Sequence, residues 1–481
     1  MNNFDKTRVF QIAKTTKTIL TDNHFKVLNF ISDYYSKNKI GPLYHMIKKH
    51  LGISRSDLNK MFPHGLYSAY QWVEIPIQTP EKICKHIAEV KVMDKQNIYF
   101  DHNATTYVRD EVTKLLRDYF SGEYGYGNPS SGNILGKKAY DNVYESRVQI
   151  AKHLKCDPNE IIFTGSGSEA NNLAIKGIAF NHLKTKGHII SSMIEHPAVL
   201  ETLEWLRLIG FEITLLLPNE DGIIEAEQVK KSIRDNTILI TLMAANNEIG
   251  TVNPLAEIGE LSKLYNIPFF VDAIQGFGKM ILHPKKMGIS MLSVSGHKIY
   301  APKGVGALFV DESINLSPVI HGGGQENGLR AGTENVAYIM ALGKASALMY
   351  KEFDTEHKRL TELRNYFLDR LKKIEPDFII NGSLENRLPN NLNIGFPDID
   401  SGALLLSLNQ IGVYVSSGSA CHEGSKESSH VIHSLGVNTE KYGIIRFSFG
   451  IKSTKEEVDY LFTYLPEILE KLKELKKETQ Q

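Results

Sequence analysis

Cysteine is scarce in this chain: three residues, Cys84, Cys156 and Cys421, stand far apart among 481. An odd, scattered set argues against a disulfide framework and has no metal-ligand spacing, which leaves catalytic, carrier or buried roles and no expected metal site. Long apolar runs are missing as well. No stretch approaches the roughly 20 apolar residues of a membrane span, and the polar start Met1-Asn2-Asn3-Phe4-Asp5-Lys6 lacks the apolar core of a signal peptide. A cytoplasmic protein with no membrane partner is expected. An excess of one charge is also absent, but only by cancellation. Residues 1–95 hold 15 basic and 8 acidic residues and the remainder 40 and 47, giving +7 and −7. The basic part suits a solvated face, or docking of an acidic partner or nucleic acid.

What is present is enough for several cores: the length suits roughly three domains and 42% of residues are hydrophobic. Near the start, apolar residues at 25, 27, 28, 31, 34 and 35 have helical spacing and stop near Gly41-Pro42. Leu43 to Leu51 repeats the period, and Ser54-Arg55-Ser56-Asp57 reads as the cap of a third helix to Met61. Three short helices around sharp turns could form a helix-turn-helix DNA reader. No segment shows the clustered Arg, Asn and Gln of base readout, so direct nucleic-acid binding is not expected. The same stretch, Phe25 to Cys84, with NFISDYY, LYHMIKKHLGIS and Phe62-Pro63-His64-Gly65, resembles the DsrC/TusE family of sulfur carriers. That resemblance implies a helical sulfur-carrier domain over 1–95, with Pro76 and Pro80 marking an extended arm and Cys84 as the carrier thiol. The arm is longer than usual and continues into the next domain, no second cysteine precedes it, and the family's N-terminal segment is mostly absent.

From about Asn97 short buried strands alternate with helices. Ile161-Ile162-Phe163, His188 to Ser192, Phe211 to Leu217, Thr237 to Met243, Pro268 to Ala273 and Gly306 to Val310 read as strands. Ala198 to Leu208, Glu225 to Ile233 and Pro254 to Tyr265 read as helices. Such alternation predicts a mostly parallel sheet covered on both faces, with ligands beyond the carboxyl ends of its strands. The residues following the strands are therefore the informative ones. They are the glycine-rich turn Thr164 to Ser168 entering a helix, Glu195-His196, Asn246-Asn247-Glu248, Asp272 with Gln275, and His297-Lys298. A helix start that favours an anion, a histidine, a buried carboxylate and a lysine are the parts that a pyridoxal phosphate site requires. The turn is neither a GxGxxG fingerprint nor a P-loop, which lowers dinucleotide and nucleotide readings.

At these positions the chain resembles NifS/IscS-type cysteine desulfurases. The motifs are FDHNATT (100–106), GNPSS (127–131), NNEIG (246–250), SGHK (295–298), RAGTEN (330–335) and SSGSAC (416–421), in order across about 97–465. The resemblance implies an α/β, aminotransferase-like fold type I with a large cofactor domain (about 112–350) and a smaller α+β domain (96–111 and 351–481), together residues 96–481, working as a homodimer. It implies that Lys298 holds pyridoxal phosphate, His196 stacks on the ring and relays protons, and Asp272 pairs with the ring nitrogen. Asn247 and Gln275 would bond the ring oxygen region. Gly167, Ser168, Ser295 and His297 would hold the phosphate, with Thr333 reaching it from the other subunit, and Arg446 would clamp the substrate carboxylate. Two departures stand out: Asn133 where the family often has histidine, which could alter the substrate pocket, and TGSGS where TSGAT is common.

Cys421 lies in a polar, aperiodic stretch running to His433, expected to be an exposed, mobile loop. The resemblance makes it the thiolate that takes sulfur from L-cysteine, leaving alanine and a persulfide. Cys84 could receive that sulfur before a separate acceptor protein does. A selenocysteine lyase could use much the same site, and the helical start could instead be a nucleic-acid module. Cys156 reads as structural.

Overall fold

The computed structural model describes residues 6–16, 18–38, 44–62, 69, 72–73, 95–122, 125–417 and 429–480. The chain forms two compact units, residues 1–88 and 89–481. By residue 96 the chain already belongs to the second unit: Gln96 N donates to Tyr460 Oη at 3.3 Å, and β1 (Ile98–Tyr99) pairs in parallel with Val413–Tyr414.

The first unit contains the three expected helices, α2 (Asp22–Asn38), α3 (Tyr44–Leu51) and α4 (Arg55–Met61), preceded by a fourth, α1 (Lys6–Thr15), that the sequence reading did not assign. The polar character of α1 hid it, yet it buries Val9 and Ala13, one helical turn apart, against Val27, Leu28, Ile31, Ile47 and Leu58. α4 starts where expected because Ser54 Oγ accepts from Asp57 N at 3.1 Å. His24 ties the bundle: Nδ1 accepts from Thr21 N at 3.1 Å, so Nε2 carries the hydrogen donated to Met61 O at 2.8 Å, and the ring lies against Phe62 and Trp72.

The second unit is built on a seven-stranded sheet. Its strands are β2 (Ile161–Thr164), β3 (His188–Ser192), β4 (Glu212–Leu216), β5 (Thr237–Met243), β6 (Phe269–Asp272), β7 (Met291–Ser295) and β8 (Gly306–Val310), in the spatial order β2-β8-β7-β6-β5-β3-β4. Only β8 runs against its neighbours. The expected strands appear within a residue or two, and nearly every residue in most of them is buried because helices cover both faces. One apolar cluster lies on each face, around Ile240, Phe269 and Leu292 on one side and Ile189, Leu239 and Phe270 on the other. A smaller sheet pairs β10 (Asn391–Pro397) antiparallel with β12 (Tyr442–Ser448) and with β9 (Ile379–Ile380), where β11 is Val413–Tyr414. The expected internal division near 350 falls inside the unbroken 39-residue helix Val336–Ile374.

Gly259, in the helix Leu255–Tyr265, lies so close to the Met287–Gly288 turn that an added Cβ would overlap the Met287 carbonyl. Gly259→Ala is expected to destabilise the second unit by about 1–3 kcal/mol, the usual cost of overpacking, read as a lower thermal midpoint by circular dichroism.

Candidate active site

Since β8 is antiparallel to both β2 and β7, the carboxyl ends of β2, β7, β6, β5 and β3 share one edge of the sheet. The turns that the sequence singled out all start there. Lys298 ends the one-turn helix Gly296–Lys298 that follows β7. Its Nζ donates to the carbonyl oxygens of Asn103 at 2.6 Å and Ala104 at 2.7 Å. The neighbouring His297 contacts Thr105 Oγ1 through Nδ1 at 3.1 Å, and its carbonyl accepts from Thr106 N at 2.9 Å. Burial and then the cations Lys298, Lys303 and Lys279 push the His297 ring down to about 4, so the imidazole is neutral.

The FDHNATT stretch therefore crosses the sheet edge and closes over the lysine. Its Asn103 is held on all sides: N donates to Ser448 Oγ at 2.9 Å, Nδ2 to Asn247 O at 3.1 Å, and Oδ1 accepts from Asn390 Nδ2 at 3.0 Å. Gln275 Nε2 also donates to the Asn103 carbonyl, at 2.9 Å, and Gln275 Oε1 accepts from Lys279 Nζ at 3.0 Å. Asn247 enters this web through its backbone carbonyl.

Asp272 ends β6 and is buried. Oδ2 accepts from Asn171 Nδ2 at 2.7 Å and Oδ1 from Ile274 N at 3.0 Å, and among the described residues it takes part in no ion pair. A buried carboxylate so oriented suits a cationic partner such as a protonated ring nitrogen. His196 caps the helix Pro197–Leu208, with Nδ1 accepting from Ala198 N at 3.0 Å. Burial first and Lys298 and His430 next lower its basicity, Asp272 opposing, so the neutral ring carries its hydrogen on Nε2. Gly167 opens the helix Gly167–Asn181 against the same place. A Cβ there would overlap Ile274 Cδ1 and stand 3.1 Å from Ser295 Cβ, so glycine is what allows the helix start to approach the ends of β6 and β7. Ser168 is exposed beside it, and Ser166 Oγ caps the helix by accepting from Glu169 N at 3.1 Å. The residues fit pyridoxal phosphate: an anion-favouring helix start, a buried carboxylate without a cation, a neutral histidine and an amine share one edge.

Arg446 approaches from β12 and is 1% exposed. Nη2 pairs with Asp101 Oδ1 at 2.6 Å, Nη1 donates to Asn247 O at 3.1 Å, and Nε is buried without a partner among the described residues. Its backbone pairs with Ser416, just before the Cys421 stretch. Glu248 lies near the far stem of that stretch: its carboxyl bonds to Ser429, and burial, opposed by Ser429 and Arg446, pushes it up to about 7.

Residues 98–461 match the family described as Aminotransferase class-V, three quarters of the chain. This chain belongs to that family. Within it, the cysteine desulfurase IscS of Dictyoglomus turgidum is 45% identical over 381 residues, 79% of this chain and 96% of the relative. That of Methanosarcina thermophila is 43% identical over 383 residues, 79% and 94%. Among solved structures, a "NIFS-LIKE PROTEIN" has a TM-score of 0.73 at 35% identity, covering 78% of this chain and 100% of that one. A structure titled "SspA in complex with cysteine" has a TM-score of 0.67 at 38% identity, covering 73% and 99%. The aminotransferase class-V member is thus a pyridoxal phosphate enzyme of fold type I, in its cysteine desulfurase branch. Residues 1–73 match the family described as DsrC like protein. The match stops before Pro76, Pro80 and Cys84.

Of the expected site residues, Lys298, His297, Ser295, Gly167, Ser168, Asp272, Gln275, His196, Asn247 and Arg446 lie at this edge or in the web around it. Thr333 is exposed and makes no hydrogen bond to the site among the described residues. Cys421 and Cys84 lie outside the described residues. Asn133 has a local task, since Oδ1 caps the helix Ile134–Leu154 by accepting from Gly136 N at 2.9 Å. Cys156 is partly buried and pushed up to about 12, chiefly by burial, which keeps it a thiol. No group of three or more His, Cys, Asp and Glu among the described residues could hold a metal, and no described helix is long and apolar enough to cross a membrane. Asn171, Asp101, Asn103 and Lys279 were missed as site residues. Asn171 had a signal, one helical turn after Gly167 on the same face.

Glu195 is fully enclosed beside His196, with Oε1 accepting from Ser192 Oγ at 2.6 Å and Met243 N at 3.0 Å, and burial raises it from 4.5 to about 8. Between those values the folded chain keeps a proton that the unfolded chain has released, so stability falls as pH rises through that window. Glu195→Gln is expected to remove this dependence. Its thermal midpoint relative to wild type should climb from roughly pH 5 to roughly pH 9; an unchanged difference would contradict the protonated carboxyl.

Proposed function

We propose that this chain converts L-cysteine to L-alanine and keeps the sulfur as a persulfide on Cys421. The observation that carries the reading is the convergence of Lys298, Asp272 and His196 on one sheet edge, with Arg446 brought against the Asn247 and Asp101 backbone and carboxylate from the small lobe. Lys298, Asp272, His196, Gln275 and Asn247 would hold pyridoxal phosphate, with Gly167, Ser168, Ser295 and His297 around its phosphate. When bound, the cofactor supplies an electron sink for charge developing at the substrate Cα.

The chain's own residues do the rest. Arg446 binds the substrate carboxylate through its buried Nε N–H, while Asp101 and the Asn247 carbonyl fix the plane of the guanidinium. Lys298 Nζ, released from its place, takes the Cα proton, and neutral His196 carries a proton on Nε2 at the same edge. Cys421 thiolate attacks the substrate sulfur. One S–S bond forms as the substrate C–S bond breaks, the electron pair stays with the carbon fragment, and protonation of that carbon gives alanine. L-cysteine and the Cys421 thiol thus become alanine and a persulfide with no external oxidant.

Thr333 would act across a homodimer, at the phosphate of the second copy. The DsrC-like match supports reading residues 1–95 as a carrier domain, in which Cys84 takes the sulfur by thiol exchange, helped by tethering, before an acceptor protein in the cytoplasm receives it. Cys421→Ser is expected to abolish alanine formation from L-cysteine while leaving the visible absorbance of bound pyridoxal phosphate intact. Retained turnover would contradict the assignment.

A further inference from the structure

Lys279 is a buried amine that the reaction above does not use. It is 7% exposed and forms no ion pair among the described residues, where the one hydrogen bond of its Nζ is to Gln275 Oε1 at 3.0 Å. Glu356 lines the same small pocket, with Tyr300 and His357, but Glu356 pairs with Arg359. An apolar side chain would fill the place at lower cost than an amine without a counter-ion. Burial, and then the charges of Lys298 and Arg446, push Lys279 down to about 7. Its retention calls for a task.

We infer that Lys279 is a positioning residue: it fixes the amide of Gln275 so that Nε2 faces the Asn103 carbonyl and the site where Lys298 stands. The geometry carries this. Lys279 Nζ donates to Gln275 Oε1, Gln275 Nε2 donates to Asn103 O at 2.9 Å, and Lys298 Nζ donates to the same oxygen at 2.6 Å. Turning the amide over would set Oε1 against the Asn103 carbonyl oxygen, two acceptors facing each other, and would set Nε2 against Lys279 Nζ, two donors facing each other wherever the lysine is charged. Lys279 and Gln275 lie four residues apart on the turn after β6, so the orientation is built locally and handed to a segment 172 residues away. A fixed Nε2 keeps its second N–H for the cofactor's ring oxygen region. Lys279 thereby acts through Gln275 and touches neither substrate nor cofactor.

The inference rests on the reading that Lys298 and Gln275 hold the cofactor. The test uses the full-length chain, stripped and reloaded with pyridoxal phosphate, as wild type, Lys279→Met, Gln275→Ala and the double variant. Cofactor affinity and the pH titration of the visible band are followed. Lys279→Met should weaken the cofactor about tenfold, the size of one charge-assisted hydrogen bond, and move the titration midpoint. The double variant should match Gln275→Ala alone. A wild-type titration and affinity in Lys279→Met, or losses that multiply in full in the double variant, would overturn the inference. Should Lys279→Met not fold, Lys279→Gln, which keeps a donor without the charge, enters the same cycle with a smaller loss expected and the same multiplied losses overturning the inference. Borohydride reduction of the loaded wild type separates the two readings. An adduct away from Lys298 overturns the site itself, whereas an adduct on Lys298 with a silent Lys279→Met overturns only the role of Lys279.

Discussion

The second unit depends on one short hydrogen-bonded crossing: the carbonyls of Asn103 and Ala104 against the amine of Lys298. A lysine on a buried strand end must give its hydrogens to something, and here the acceptors among the described residues are backbone oxygens that cannot take its proton. The segment that supplies them is fastened to both the large and the small sheet. Asp101 and Asn103 reach Arg446 and Ser448 on the small sheet, while Thr105 and Thr106 reach His297 at the end of the large one. The residues that would grip the substrate and the residue that would hold the cofactor are thus positioned by a single stretch of seven residues.

The large sheet was legible because its strands are short apolar runs separated by helices with clear starts and stops. The edge that carries the site followed from the parallel arrangement alone. Individual roles were less legible, because they depend on contacts across long sequence separations. Asn103 lies 195 residues from Lys298, and no local pattern announces that its carbonyl will meet the amine. Lys279 follows a glycine and no local pattern marks it; only burial distinguishes it. Asn133 shows the converse, since its variance from the family drew attention to the substrate pocket while its side chain is spent on a helix cap. The polar helix α1 escaped notice because two buried residues are too few to show a period.

Two units with different matches, an aminotransferase class-V segment over 98–461 and a DsrC-like segment over 1–73, sit in one chain. A persulfide is reactive, and joining a sulfur donor to a receiving thiol on one polypeptide would raise the effective concentration of that thiol without any new contact.

The most direct measurement is peptide mass spectrometry of the loaded full-length chain after incubation with L-cysteine labelled in its sulfur. The account predicts one labelled sulfur on Cys421 at the earliest times and on Cys84 later, with no label on Cys156. Label that never occupies Cys421, or that reaches Cys84 unchanged in a Cys421→Ser chain, would contradict it.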